Sequence, residues 1–516
     1  MQNLKREERL AGLFFLLCAL ATAGYLIFGY GAYLDSDMSS ELALAQHLAR
    51  KGALVSGEWY YSTEVRLLST QLVFTPLMAL FGQNWRLVRT LGCMLLLAMM
   101  AASTLFACRA AGAKRPISLA LAGLGISVCS PLYAQNVIIG AYYIPHIALG
   151  MLFVGGVLRR KGRRASAALL LLSFVLGVCS VRYLLQIVAP CVAALLLRAV
   201  FPGEREKRDG MVFPLLLLAF AGAGYALSTK LMPMLFHENT GYYSGMMWRS
   251  WSANDMGLLL QNVLYGLLSA LGFQESIEVL SLHGIGNALV LLTVACAILL
   301  SIRGLKNPRM GEDSRRMVWT AVFCALLSLA AFMLISSVYF DRYWIPVLAM
   351  SLPALAACLS AEENVILRRL SILLLAGTVL LESALCINHS MRHPQVDTEM
   401  RMEAVNVLQE RGLTHGYATF WNANIVTELS NGEIEVTTVE LTQGQDGQTV
   451  LKPYRWLETE ESFRPVQGGT FVLLGTWEDE KAHERMMQLG AEKAGIDGYI
   501  ELYILPDASV LPIMEE

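Results

Sequence analysis

Long apolar runs separated by short polar connections set the pattern of the first three quarters of this 516-residue chain. About eleven runs approach the roughly 17–25 residues that a helix needs to cross a bilayer. They are Leu10–Tyr33, Leu87–Cys108, Ile117–Tyr133, Tyr142–Leu158, Ala165–Val181, Leu184–Val200, Met211–Leu231, Ile285–Ile302, Met317–Val338, Trp344–Leu359 and Leu370–Asn388. The first is too long for a cleaved signal segment and reads as an uncleaved helix. Two stretches of mixed pattern interrupt the series, Leu34–Arg86 and Phe236–Gly284. In the former, Ser39–Leu48 has apolar residues at helical spacing and predicts an amphipathic helix lying on the membrane surface, with Ser or Asp as its cap. A second such helix is predicted over Leu67–Phe81, with Pro76 inside it. After Asn388 the chain becomes polar and mixed. Thr398–Arg411 and Glu480–Lys493 read as helices, and Gly416–Phe420, Ile434–Leu441, Thr470–Leu474 and Tyr499–Leu505 as strands, so 389–516 is expected to be a small α/β domain. The expected fold class is therefore a polytopic α-helical membrane protein, 1–388, with a C-terminal α/β domain.

Charge orients the spans. Lys5/Arg6/Arg9, Arg109/Lys114/Arg115, Arg159/Arg160/Lys161/Arg163/Arg164, Arg198/Arg205/Lys207/Arg208, Arg303/Lys306/Arg309/Arg315/Arg316 and Arg368/Arg369 fall on alternate connections. Positive charge stays on the cytoplasmic side. The N-terminus is then cytoplasmic, and the 34–86 loop, the 236–284 segment, the Asp341-Arg342 turn and the C-terminal domain face outside. In the 236–284 segment, Tyr242, Tyr243, Trp248 and Trp251 read as an interfacial aromatic belt.

Composition narrows the function. Hydrophobic residues make up 55% of the chain and net charge is only −2, so there is no nucleic-acid footprint. All ten cysteines lie in or beside apolar runs, which argues against a disulfide framework and a cysteine metal site. Zinc-protease, serine-hydrolase and phosphate-loop motifs are absent from the sequence. The densest acidic feature of the front half is Asp35-Ser36-Asp37-Met38-Ser39-Ser40-Glu41, immediately after the first apolar run. Its carboxylates have three readings: caps of the following helix, a general base toward an acceptor, or oxygen ligands of a divalent cation such as Mg or Mn held by Asp35 and Asp37.

The layout around that run resembles the GT-C superfamily of membrane glycosyltransferases, which includes protein mannosyltransferases and lipid A aminoarabinose transferases. Asp37-Met38 precedes Leu42-Ala43-Leu44-Ala45-Gln46-His47-Leu48, in the register of the family's Asp-led helix. Phe74-Thr75-Pro76-Leu77, Leu80-Phe81-Gly82 and then Arg86 and Arg89 match its Pro-containing helix and downstream Arg. Met38 stands where a Glu is usual, and Glu64-Val65-Arg66 stands where Lys-Pro-Pro is common. The resemblance implies inverting transfer of a sugar from a polyprenyl-phosphate donor to a lipid, glycan or protein acceptor outside the membrane. In it Asp37, or Asp35, deprotonates the acceptor. The absence of a disulfide framework and the compact spans point to a multi-pass protein of a bacterial plasma membrane, surrounded by membrane lipids.

The departing phosphate needs cations, and the outside-facing candidates include Arg66, Arg182, Arg249 and Arg342. Glu64, Tyr142, Tyr143 and His146 complete the expected substrate-binding set. A lone His in an apolar helix more often only bonds a neighbour, which is the competing reading of His146, and Arg342 also reads as a local partner of Asp341. Two rival functions stand beside this one. A flippase for a lipid-linked saccharide would favour charges deep in the helices and internal repeats, neither of which the sequence has. A non-catalytic member of the same fold is favoured by Met38.

Overall fold

The computed structural model describes residues 2–31, 33–200, 210–238, 247–249, 253–335, 339–392, 396–444, 447–464, 466–496 and 498–514. Tyr242, Tyr243 and Trp251 lie outside these. The chain divides into two compact units. One comprises Met1–Phe28, Cys93–Leu231 and Gly241–His389, and the other comprises Gly29–Gly92, Met232–Thr240 and Ser390–Glu516.

The first unit is helical. Among the described residues, eight helices are long and apolar enough to cross a membrane, beginning with α1 (Gln2–Phe28), or nine if one bent pair counts as a single span. Val212–Leu235 and Leu282–Lys306 bury only 22% of their most apolar windows within the protein, so their leucines are left for lipid. The sequence predicts about eleven spans, and the differences have local causes. The Ile117–Tyr133 run is not one helix: Arg115–Gly125 ends, and Ser130 caps a fresh turn at Pro131 by accepting from the Tyr133 N–H. The Tyr142–Leu158 run is the second half of the bent pair, Pro131–Ile139 and Ile144–Leu158, set at 79°. Ala141 sits at its break with φ of +59°. The Leu184–Val200 run belongs to a shorter apolar helix, Val181–Leu197. The 236–284 stretch also contains a helix, Ala253–Ser269. Together these features make the chain a polytopic helical membrane protein.

The second unit is built on a six-stranded sheet. Strand β1 is Trp59–Tyr61, β2 His237–Glu238, β3 His415–Ala418, β4 Glu435–Gln443, β5 Thr449–Pro453, β6 Glu458–Thr459, β7 Thr470–Gly475, β8 Glu492–Ala494 and β9 Ile500–Leu505. The large sheet has the order β5-β4-β3-β7-β9-β8, and β2-β1-β6 form a smaller one. Strand β3 runs parallel to both β4 and β7, and the outer pairings are antiparallel. Its central strand β7 is buried at every position, as a Thr-Phe-Val-Leu-Leu-Gly run predicts. Tyr417, Val439, Leu451, Val472, Leu474, Met486 and Tyr503 form the core. The helix predicted over Glu480–Lys493 is shorter than expected. It ends at Gln488, the chain turns at Gly490 with φ of +78°, and Glu492–Ala494 joins the sheet beside β9. Glycine accepts that left-handed conformation without a Cβ clash, which frees the chain to become a strand.

Candidate active site

The acidic run opens helix α2, Ser36–Lys51. Met38, Leu42, Ala45 and Leu48 recur at helical spacing and are fully buried. The expected surface helix is thus corrected in one respect, because protein rather than membrane covers its apolar face. It packs on α3, Gln71–Phe81, and on the helix Phe420–Leu429.

The structure separates the three carboxylates of the run. Asp35 is the N-cap, its Oδ1 accepting the Met38 N–H at 2.8 Å. Thr70 Oγ1 donates to Glu41 Oε2, and Gln71 Nε2 donates to the Glu41 carboxylate at 3.0 Å and to its carbonyl at 2.9 Å. Asp37 lies in the first turn, half-buried, and its carbonyl accepts from Ser40 Oγ at 2.7 Å. Its charge reaches Tyr454: burial first, then Glu440 and Asp37, push that phenol above its ordinary range. Tyr454 belongs to an aromatic group, stacked on Trp456 at 6.3 Å and edge-on to Phe420 at 6.1 Å.

The carbonyl next to Asp37 is held from elsewhere in the fold. Arg89 is 1% exposed, and its Nη2 donates to Met38 O at 2.9 Å. The same guanidinium grips Glu428 with two bonds, Nε to Oε1 and Nη2 to Oε2, each 2.6 Å. Tyr30 donates to Glu428 Oε1 at 2.5 Å. Burial, then the Glu428 charge, push the Tyr30 phenol well up, so it remains an O–H donor. Arg89 was legible as the arginine downstream of a Leu-Phe-Gly segment. Glu428 and Tyr30 were not, although a single acid inside Asn424-Ile425-Val426-Thr427-Glu428-Leu429 is the kind of buried charge that demands a partner. Nearby in sequence, Glu64 and Arg66 pair at 3.6 Å.

The remaining candidates lie in the first unit, where all but Arg249 form one cluster. Tyr142 and Tyr143 are 5.5 Å apart, and the Tyr142 hydroxyl donates to Asn136 Oδ1 at 2.8 Å. His146 stacks on Tyr183 at 4.3 Å. Next to Tyr183, Arg182 lies over the Tyr343 ring at 4.9 Å, and Arg342 lies over Phe340 at 5.2 Å. Phe340 and Tyr343 meet edge-on at 5.6 Å. Irregular helix supports this cluster: π-helical turns run over Ala134–Ile139 and Leu184–Val188, and a short 3₁₀ turn over Asp341–Trp344. Arg249 stands apart at the end of Glu312–Leu334, with its N–H on Leu334 O at 2.8 Å. The carboxylate of Asp341 accepts from Tyr339 at 2.5 Å.

Asp35 is engaged in its helix cap, and among the described residues no group of three or more His, Cys, Asp or Glu could hold a metal ion.

No protein-family model matches the sequence, and no curated protein matches it by sequence. Solved structures do match by fold. ArnT from Cupriavidus metallidurans in the apo state aligns over 96% of this chain and 98% of its own, with a TM-score of 0.57 and 11% identity. The same protein bound to undecaprenyl phosphate aligns over 95% and 97%, with a TM-score of 0.52 and 12% identity. The fold of this chain is similar to that of ArnT over nearly the whole length of both chains.

Proposed function

We propose that this protein is a membrane glycosyltransferase that moves a sugar from a polyprenyl-phosphate donor to an acceptor outside the cytoplasm. The observation that carries the reading is the fold likeness to ArnT over nearly the whole of both chains, one of whose structures holds undecaprenyl phosphate. The N-terminus is cytoplasmic and the C-terminal domain extracytoplasmic in this reading, in a bacterial plasma membrane.

Asp37 is the general base. It takes the proton of the acceptor hydroxyl or amine as that atom attacks the anomeric carbon. The bond to the lipid phosphate breaks with inversion, and polyprenyl phosphate departs with the electron pair. Asp37 suits this role better than Asp35, whose carboxylate already accepts the cap hydrogen bond. Arg89 and Glu428 are positioning residues, since Arg89 holds the Met38 carbonyl and Glu428 holds Arg89. Charge developing on the phosphate oxygens calls for cations that need no rearrangement. Arg182 and Arg342 fill that role, with Tyr142, Tyr143 and His146 around the sugar; Arg66, Glu64 and Arg249 are further contacts to donor or acceptor. The test is release of free polyprenyl phosphate from a panel of lipid-phosphate sugars by protein in nanodiscs. Release should depend on Asp37. Translocation of the sugar lipid without its breakdown would refute the reading in favour of a flippase.

A further inference from the structure

The second unit contains a cavity of about 470 Å³. It falls in the ~300–1,000 Å³ range of small-molecule sites. Its walls come from the outer turns of α2 (Ala43, Gln46, His47, Arg50), from Trp59 on β1, from Asn424 and Thr427, from β4, and from the segment 458–466. Asp37 is not among the lining residues. On α2 the lining begins at Ala43, six residues beyond Asp37 at about 100° and 1.5 Å per residue. The cavity therefore meets a different face of that helix.

The walls are polar but electrically balanced. Glu435 lies 3.5 Å from His415, and Arg464 donates to Glu461 at 3.0 Å. Glu458 is buried, and its Oε1 accepts from Ser462 Oγ at 2.9 Å while its Oε2 accepts from Thr438 Oγ1 at 3.1 Å. Ser462 Oγ also lies 3.1 Å from Glu435 Oε1 and has one proton for two carboxylates. That shortage favours a protonated Glu458, and burial pushes its carboxyl up to about 7. Burial pushes His47 down, toward the neutral ring, and its Nε2 shares a hydrogen bond with Ser56. One wall group is unsatisfied. Trp59 is 1% exposed and its Nε1–H, a donor only, has no hydrogen-bond partner. A buried donor without a partner costs about 1–3 kcal/mol, and a ligand acceptor removes that cost.

We propose that this cavity binds a neutral, hydroxyl-rich ligand, a short saccharide. Most of the charged wall groups are already paired, which leaves little to match an ion. A lipid chain would set apolar surface against the amide of Gln46 and the hydroxyl of Thr427. A saccharide offers an acceptor to Trp59 and both donors and acceptors to the rest. The inference stands apart from the transferase reading, because binding is measured with free sugars and no lipid donor.

The experiment uses the full chain in nanodiscs with glucose, galactose, mannose, N-acetylglucosamine and their disaccharides, followed by saturation-transfer NMR and calorimetry. Saturable binding at or below ~1 mM is expected for at least one of them. Ala43→Phe fills the cavity and should abolish it. Trp59→Phe keeps a ring, removes the donor and should weaken binding about three- to tenfold. Gln46→Leu provides a second blocking variant if Ala43→Phe lowers the melting temperature. Phosphate-lipid release should persist in Ala43→Phe. Binding that survives both wall variants, binding of putrescine or inorganic phosphate in place of the sugars, or no binding of any saccharide at ~10 mM would each overturn the inference.

Discussion

Replacing Glu428 with Gln leaves the Arg89 charge buried without its counter-ion. The magnitude follows from the geometry. Arg89 is 1% exposed, Glu428 1%, and two 2.6 Å bonds join them. Removing one partner of such a pair costs about 3–5 kcal/mol, mainly because the remaining charge cannot reach water. Arg89→Gln should cost a similar amount, since it strands the carboxylate and releases Met38 O. The double variant loses both charges together and should be little worse than either single one. Its coupling energy should then be on the order of 3 kcal/mol, far above the ~0.3–0.5 kcal/mol scatter of independent sites. The assay is a double-mutant cycle on purified protein, read by denaturant unfolding of the second unit. Hydrogen exchange over residues 36–42 provides a second reading, because the first turn of α2 loses its outside support. Single variants within about 1 kcal/mol of wild type, with additive effects, would refute the reasoning.

Three further outcomes are expected. Asp35→Ala removes the cap bond to Met38 N, so α2 should lose about 1 kcal/mol, read by denaturant unfolding, while transfer continues with Asp37 intact. Glu458 holds its proton up to a pH of about 7, against an ordinary 4.5. The unfolded chain gives up that proton earlier, so stability should fall by about 3 kcal/mol as pH rises across this window and level off above it. Glu458→Gln should flatten that slope in melting curves taken from pH 4.5 to 8. Gly432 has φ of +75°, and a Cβ there would come within 2.7 Å of Gln46 and Trp85, whereas Gly447 has the same φ with open space around it. Gly432→Ala should therefore cost more than the roughly 1 kcal/mol expected of Gly447→Ala, measured by thermal unfolding.

Much of this structure was legible in local pattern. Met38, Leu42, Ala45 and Leu48 give away α2, and Thr470–Leu474 reads as a buried strand without help. Pattern failed where one long apolar run holds two elements. Hydropathy averages over the Ile117–Tyr133 run, yet one helix ends there at Gly125 and Ser130 caps a fresh turn, so the expected span is divided. Strands β5 and β8 were missed because each is short and depends on pairing with a neighbour. The candidate site divides in the same way. Asp37 stands out within a dense acidic run, and Arg89 through the resemblance to the family's arginine downstream of the Pro-containing helix. The Glu428 carboxylate that holds Arg89 comes from 339 residues further along the chain, and no local pattern connects them. The Trp59 cavity is likewise assembled from α2, β1, β4 and the 458–466 segment, so no single stretch announces it.

The central claim is tested most directly by incubating wild-type and Asp37→Asn protein in nanodiscs with a panel of polyprenyl-phosphate sugars and quantifying free polyprenyl phosphate. Wild type should release it from at least one donor, and loss of the base should slow release by about 10²–10⁴-fold. Equal release by both proteins, or none from folded wild type with any donor, would contradict the account.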